Sequence, residues 1–278
     1  MPGCGPWWPP RSCRRLRPQP SWPATPWPQC RRDLGGPTQR GGVAVSLEIL
    51  GIDGIAEVRP GDDLAALIVA AAGPDGLRDR DCVVVTQKVV SKAEGRLAPV
   101  DPEDPTSHKP LVEAESIRVL RRRGDLIISE TAQGFVCANA GVDLSNVEEG
   151  WAALLPVDSD RSARRIRDRI RALAGVDVAV VVSDTFGRPW RRGVTDTAIG
   201  CAGIAAVVDL RGTSDALGRE LKVTEVAVAD EIAAAADLVM GKAKGVPVAV
   251  VRGLDESWFR TGSVADEIVR PPADDLFR

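Results

Sequence analysis

The chain of 278 residues is 44% hydrophobic and 27% charged, enough for one large globular domain or two small ones, and no run reaches the roughly eighteen uncharged apolar residues of a membrane span. Its formal charge of −3 conceals an asymmetry: residues 1–42 hold seven arginines against Asp33 alone, which leaves 29 basic and 38 acidic residues in 43–278. A body that acidic argues against sequence-independent nucleic-acid binding, and six cysteines without paired spacing argue against a disulfide framework or a zinc site.

Residues 1–42 are rich in proline, arginine and tryptophan and show neither a 3.6 nor a 2 period. They lack the continuous apolar run of a secretory signal. The segment is expected to be a disordered extension, or to reflect a start codon placed too far upstream, in preference to a transit peptide or interaction arm.

From Val43 the pattern becomes a regular alternation. "VAVSLEIL" (43–50) is strand-like, and "GDDLAALIVAAAG" (61–73) predicts a helix with Asp62 and Asp63 at its start and Gly73 at its end. "DCVVVTQKVVS" (81–91) is a buried strand running into a polar end. "PLVEAESIRVLRRRG" (110–124) predicts an amphipathic helix whose last turn is basic, where the helix dipole favours cations. Short strands follow at "DLIISE" (125–130) and "GFVCANAG" (134–141). Then come a basic helix, "SARRIRDRIRALAG" (162–175), and the strand "VDVAVVVSD" (176–184). The pattern closes with a strand at 204–212, a long helix at 224–241 and a last strand, "VPVAVVRG" (246–253). The class is mixed α/β (α+β), with β-branched strands covered by helices. Several strands are too close in sequence for helical crossovers, so antiparallel pairings are expected as well.

Three polar clusters each follow an apolar strand: Gln87, Lys88 and Lys92; Asp143 and Asn146; Asp184 and Thr185. In α/β proteins ligands gather outside the carboxyl ends of strands. Carboxylates and a hydroxyl are hard oxygen ligands suited to Mg²⁺ or Mn²⁺, whereas the lysines and the nearby Arg188, Arg191 and Arg192 suit phosphates or carboxylates. Taken singly, an Asp after a strand is a turn or cap residue and a Lys pair is a solvated surface. Three such clusters in an acidic protein favour a site.

Standard nucleotide motifs are absent: there is no P-loop and no G-x-G-x-x-G after a strand. "MGKAKG" (240–245) could approach a phosphate through backbone N–H groups, or could simply cap a helix at Gly241. His108, the single histidine, falls in a proline-rich loop and reads as a surface residue rather than a base. No serine or cysteine has the neighbours of a nucleophile.

The blocks "IAEVRPGDDL", "VVVTQKVVSKAEGRL", "ANAGVDLSN", "LLPVD", "SDTFGRPWRRGVTDTAIGCAG" and "LKVTEVAVADEIAAAADLVMGKAKGVPVAVVRG", in order from Ser46 to Phe277, resemble the coenzyme F420:L-glutamate ligases, or gamma-glutamyl ligases. The resemblance implies a ligase-like catalytic domain over 43–278, an intertwined homodimer and a cytoplasmic enzyme. It implies GTP as co-substrate, two Mg²⁺ or Mn²⁺ ions and K⁺ as a further ion, with L-glutamate joined to coenzyme F420-0 and the tail then lengthened. Carried over by motif, Asp143 and Asp184 would hold one metal and Thr185 would help hold a second. Ile55, Ala56, Glu57, Val58, Gln87, Lys88, Lys92 and Asn146 would line the nucleotide, with Met240, Gly241 and Lys242 against it.

Two departures stand out. Some relatives place a metal-capable amide near Lys242, so the second metal's shell is incomplete in this sequence. The resemblance extends to the N-terminal part of an actinobacterial protein that continues into a nitroreductase-like flavin domain; this sequence ends at "PPADDLFR", and no flavin-dependent step is expected of it. The implied chemistry activates a carboxylate as an acyl phosphate, which needs no histidine and no covalent nucleophile. Arg188, Arg191 and Arg192 would then clamp the anionic tail or the incoming glutamate. Trp190 would offer its face to the deazaflavin, or else pack. Two other readings keep part of this picture: a metal-dependent phosphotransferase or ligase acting on another carboxylate, and a deazaflavin-binding module without catalysis.

Overall fold

The computed structural model describes residues 46–74 and 76–275, so the expectation for residues 1–42 lies outside the described residues. In chain order the strands and helices are β1 (Glu48–Ile52), α1 (Leu64–Ala72), β2 (Cys82–Thr86), α2 (Gln87–Ala93), β3 (Leu97–Pro99), α3 (Lys109–Ala114), β4 (Ser116–Arg123), β5 (Leu126–Thr131) and β6 (Val136–Ala138). There follow β7 (Trp151–Ala153), α4 (Ser159–Ala174), β8 (Ala179–Gly187), β9 (Val194–Ala202), β10 (Val208–Asp209), β11 (Glu225–Val226), α5 (Val228–Met240), β12 (Val248–Arg252) and α6 (Val264–Glu267). The mixed α+β class holds. No helix among the described residues is long and apolar enough to cross a membrane.

A five-stranded sheet in the order β1-β12-β2-β8-β9 forms the centre. Only β2 and β8 run parallel; the other three pairings are antiparallel, and of these only β8–β9 is joined by a short turn that requires it. The Cys82–Val85 and Ala179–Val182 runs are fully buried, which explains why they are apolar throughout instead of alternating. Helices cover them. On α4, Ala163, Ile166 and Ile170 recur at helical spacing and are buried, while its arginines face outward. Asp158 caps the start of α4 by accepting from the Arg161 N–H, and Gly175 ends it in the left-handed region at φ 72°.

Buried charges are answered by several donors at once. The Asp160 carboxylate accepts from the Cys201, Val264 and Ala265 N–H groups and the Ser263 hydroxyl, tying α4 to β9 and α6. Arg252 grips Asp81 with two hydrogen bonds of 2.8 Å, fastening β12 to the turn before β2. A smaller core under the separate β4-β5-β6 sheet gathers Val112, Ile127, Ala140, Val142, Ala152 and Leu154.

Five sequence expectations need correction. The strand read over 81–91 ends at Thr86, and its polar end is the helix α2 (Gln87–Ala93). The helix expected over 110–124 stops at Ala114, and Ser116–Arg123 is a strand paired with β5. Two register shifts break its alternation, between Ser116 and Arg118 and between Val119 and Arg121, so the period of 2 never shows in the sequence. The strand expected over 204–212 shrinks to Val208–Asp209, with Ile204–Ala206 buried as irregular chain. Val194–Ala202, which showed no element by pattern, forms β9. Finally, Asp184 and Thr185 do not follow a strand but lie inside β8, which runs on to Gly187.

Candidate active site

β8 outruns its neighbour. Its pairing with β2 ends at Thr86 opposite Ser183, so from Asp184 onward it is bonded to β9 alone. On the β2 side the chain turns at Thr86 into α2, which places Lys88 and Lys92 beside that open edge.

The loop after β6 supplies the next groups. Asn139 and Ala140 take positive φ, and Gly141 has φ 71° with Leu155 so close that a Cβ would lie 2.6 Å from its side chain; glycine is the residue that fits. This turn delivers Asp143 to a two-bond bridge with Ala153, which fixes its backbone. The Asp143 carboxylate then accepts from the Lys88 ammonium at 2.7 Å and from the Ser145 N–H at 2.7 Å. Burial works to raise its pKa, but those donors outweigh burial and hold it below the ordinary carboxylate range.

Asp184 is in the opposite condition. Burial, with the charges of Asp143 and Asp196 added, pushes its pKa up to about 7; the Thr185 N–H and Lys88 offset only part. Among the described residues it has no ion pair. Its charge is felt by Cys137 on β6, whose thiol is pushed up to about 12 by burial first and Asp184 second. A half-buried acid beside a second carboxylate, without a cation of its own, fits a cation. Two hard oxygen donors suit Mg²⁺ or Mn²⁺, ions that keep water and phosphate oxygens in their remaining positions. No group of three or more His, Cys, Asp or Glu side chains able to hold a metal occurs among the described residues, so an ion held by this pair would stay open to a ligand.

Pairing across β8 and β9 sets the other face. Asp184 lies opposite Thr197 and Thr185 opposite Asp196, and successive residues of a strand point to opposite faces. Asp196 is 2% exposed and accepts from the Ser183 hydroxyl at 2.9 Å, the Thr185 hydroxyl at 2.6 Å and the Lys242 ammonium at 2.7 Å. The Lys242 ammonium also reaches the Thr185 hydroxyl and Asp237. Burial alone would lower the lysine's pKa; Asp196 and Asp237 outweigh it and raise it.

The residues expected at the site divide into three groups. Lys88, Asp143, Asn146, Asp184, Thr185 and Lys242 come together: the Asn146 amide donates to the Lys242 carbonyl at 3.3 Å, linking the 142–146 loop to the turn after α5. Gly241, at φ 58°, caps α5 by donating to the Asp237 carbonyl, as the helix-cap reading has it. Lys92 pairs with Glu57, which brings the 55–58 stretch to α2, with Ala56 exposed and Ile55 against the core. A second group faces inward: Val58 and Met240 are core side chains, and the buried Gln87 amide donates to the Ser91 hydroxyl and the Leu154 carbonyl. The third group is the β8–β9 turn. Arg188, Arg191 and Arg192 are exposed there and, among the described residues, form no ion pair; Trp190 is 85% exposed, so it does not pack in the core.

His108 is half-buried with Nδ1 enclosed and unpartnered, not a free surface residue. Asp196 escaped the sequence reading. Its signal was "VTDTAIG", a polar-apolar alternation returning from a turn, legible only once 194–202 is taken as a strand.

Comparison with known proteins places the chain clearly. A family model described as F420-0:Gamma-glutamyl ligase matches residues 54–253. The coenzyme F420:L-glutamate ligase of Methanothermobacter thermautotrophicus is 42% identical over 251 residues, covering 84% of this chain and 100% of that protein. The protein of the same name from Methanopyrus kandleri is 46% identical, over 80% of this chain and 94% of its own length. The one from Archaeoglobus fulgidus is 39% identical, over 84% and 96%.

Proposed function

The chain belongs to the F420-0:gamma-glutamyl ligase family, and from that membership we propose that it joins L-glutamate to coenzyme F420-0 with GTP consumed and GDP released. One observation of the site supports this reading most: the pair Asp143 and Asp184, one ionised by Lys88 and one starved of a counter-charge, at the open edge of β8.

A carboxylate and an ammonium do not condense in water, so the carboxylate must first acquire a leaving group. An oxygen of the F420-0 carboxylate attacks the γ-phosphorus, the bond to the bridging oxygen breaks, and GDP leaves. The amine of glutamate then attacks the acyl carbon, phosphate departs with the C–O pair, and the amine gives its proton to solvent. Repeating both steps on the product's terminal carboxylate lengthens the tail.

In this reading Asp143 and Asp184 hold Mg²⁺ or Mn²⁺. Bound there, the ion would neutralise phosphate charge as it builds. Lys88 keeps Asp143 ionised and adds its own charge to the phosphate side. Lys92, Asn146 and the turn at 240–245 are the groups available to the nucleotide, and Ile55–Val58 lie next to Lys92 through Glu57. Arg188, Arg191 and Arg192 meet the carboxylate-rich tail or the glutamate as planar forks, and Trp190 offers its face to the deazaflavin. Catalysis is then positioning and charge stabilisation.

The same reading takes the protein as a cytoplasmic homodimer with K⁺ as a further ion. The β4-β5-β6 sheet, which exposes Ile117, Leu126 and Val136, offers an apolar surface for a second copy to cover. The test of function is incubation with F420-0, GTP, Mn²⁺ and L-glutamate. Mass spectrometry should show F420 one glutamyl unit heavier together with GDP, and GTP should bind in titration calorimetry only with Mg²⁺ or Mn²⁺ present. No glutamylated product under those conditions refutes the reading.

A further inference from the structure

We propose that the Lys242 ammonium stands in for a second divalent ion, so that this chain works with one bound metal per active site; the proposal rests on the ligase reading above. Thr185 belongs to the position where the resemblance implies a second metal. In the structure that position is the centre of a built cation cage with a cation already in it. Asp196 Oδ1 lies 2.7 Å from Lys242 Nζ, Asp237 Oδ1 lies 3.3 Å away, and the Thr185 hydroxyl accepts from the same ammonium while donating to Asp196. These are the hard oxygen donors that would suit Mg²⁺ or Mn²⁺. They hold, on one side, a protonated amine whose side chain is 53% exposed; it has no lone pair to give a metal, and it repels one.

Geometry separates this cage from the first pair. Asp184 and Thr185 are neighbours on β8, so the Asp143–Asp184 pair and the Thr185–Asp196–Lys242 cage lie on opposite faces of the ribbon. The first carries a carboxylate with no cation, the second a buried carboxylate already neutralised. The Ser183 hydroxyl donates to the other Asp196 oxygen, Oδ2, at 2.9 Å, so both carboxylate oxygens are engaged within the cage. Lys242 is tethered one residue past the Gly241 cap of α5, and its carbonyl is bonded to Asn146. A tethered ammonium delivers its positive charge without an ion having to be captured, and it donates hydrogen bonds to phosphate oxygens as well.

Metal count per chain tests this directly, on the full-length protein dialysed to equilibrium against Mn²⁺ and saturating GTP, with the outer compartment as blank. The wild type should hold one Mn²⁺ per chain. Lys242→Gln, which removes the charge and leaves the three oxygens, should hold two, and Lys242→Arg, which keeps a cation in the cage, should hold one. Circular dichroism checks that each variant is folded. Two ions in the wild type, or one in a folded Lys242→Gln protein, overturns the stand-in while leaving the ligase reading intact. No Mn²⁺ in the wild type with GTP present overturns the metal-dependent reading and the stand-in together.

Discussion

Asp184 is a half-buried carboxylate with no ion pair among the described residues. Its carboxyl is pushed up to about 7 by burial and by two neighbouring acids, so the folded chain holds an ionisable group there at an electrostatic cost that an ion would relieve. Asp184→Asn is nearly isosteric and removes the charge. The variant should stay folded and lose turnover by on the order of a thousandfold, with part of its GTP binding restored at high Mn²⁺. Asp143→Asn should behave alike, and the double variant should be little worse than either single one because the two acids act as a unit. Steady-state rates across a Mn²⁺ series decide it; a folded variant with normal turnover reduces Asp184 to a strand residue. The arginines call for a different substitution. Arg191→Lys and Arg192→Lys keep the charge and lose the planar fork, so the one that clamps a carboxylate should raise KM for glutamate or F420-0 far more than for GTP. Unchanged kinetics in both would return the turn to plain solvated surface.

At the scale of elements, α6 is too short to hold itself and depends on what fastens it. Glu267 does this: its carboxylate accepts from the Ala206 and Val207 N–H groups and pairs with Arg260, joining the helix to the chain that leaves β9. Burial works to raise the Glu267 pKa, but Arg260 and the two N–H groups outweigh it and hold it below the ordinary 4.5. A depressed folded pKa contributes stability above the unfolded value and loses it as pH falls through the folded one. Glu267→Gln should therefore melt lower than the wild type at pH 7. The gap should begin to close as pH falls below the ordinary 4.5 and go on closing as it passes through the depressed folded value. Melting curves from pH 7 to pH 3 check the sign; a gap that widens in acid would mean the carboxylate is not what anchors α6.

For the whole molecule, the central sheet and the loop after β6 together position the site: β2 and β8 bring α2 and Asp184 to one edge, the β6 loop adds Asp143 and Asn146, and β9 and α5 bring Asp196 and Lys242. The sequence of residues 1–42 has no periodic apolar face to add to a core. A chain lacking residues 1–42 should keep its melting temperature and its ligase activity. Differential scanning calorimetry and the glutamylation assay measure both, and a large loss in either shows that the segment docks.

The amino-acid sequence by itself determined the fully buried strands, since an unbroken run such as "VVV" can only be covered on both faces, and the helix ends at Asp63, Gly73, Gly175 and Gly241, since capping is local chemistry; the start of α4 at Asp158, ahead of the expected Ser162, it did not show. It also marked Lys88, Asp143, Asn146 and Asp184, each a polar residue beside an apolar run. Tertiary structure alone decided the rest. Ser116–Arg123 has a helix-compatible pattern, and only pairing with β5, through bulges that erase the period, makes it a strand. Asp196 lies among threonines with nothing local to distinguish it. Its burial and its partners Ser183, Thr185 and Lys242 follow from the register of β8 against β9 and from where α5 ends, contacts made across 11 to 46 residues of chain. A residue's spacing along the chain reports its own element; the charge it will face is set by elements that arrive from elsewhere.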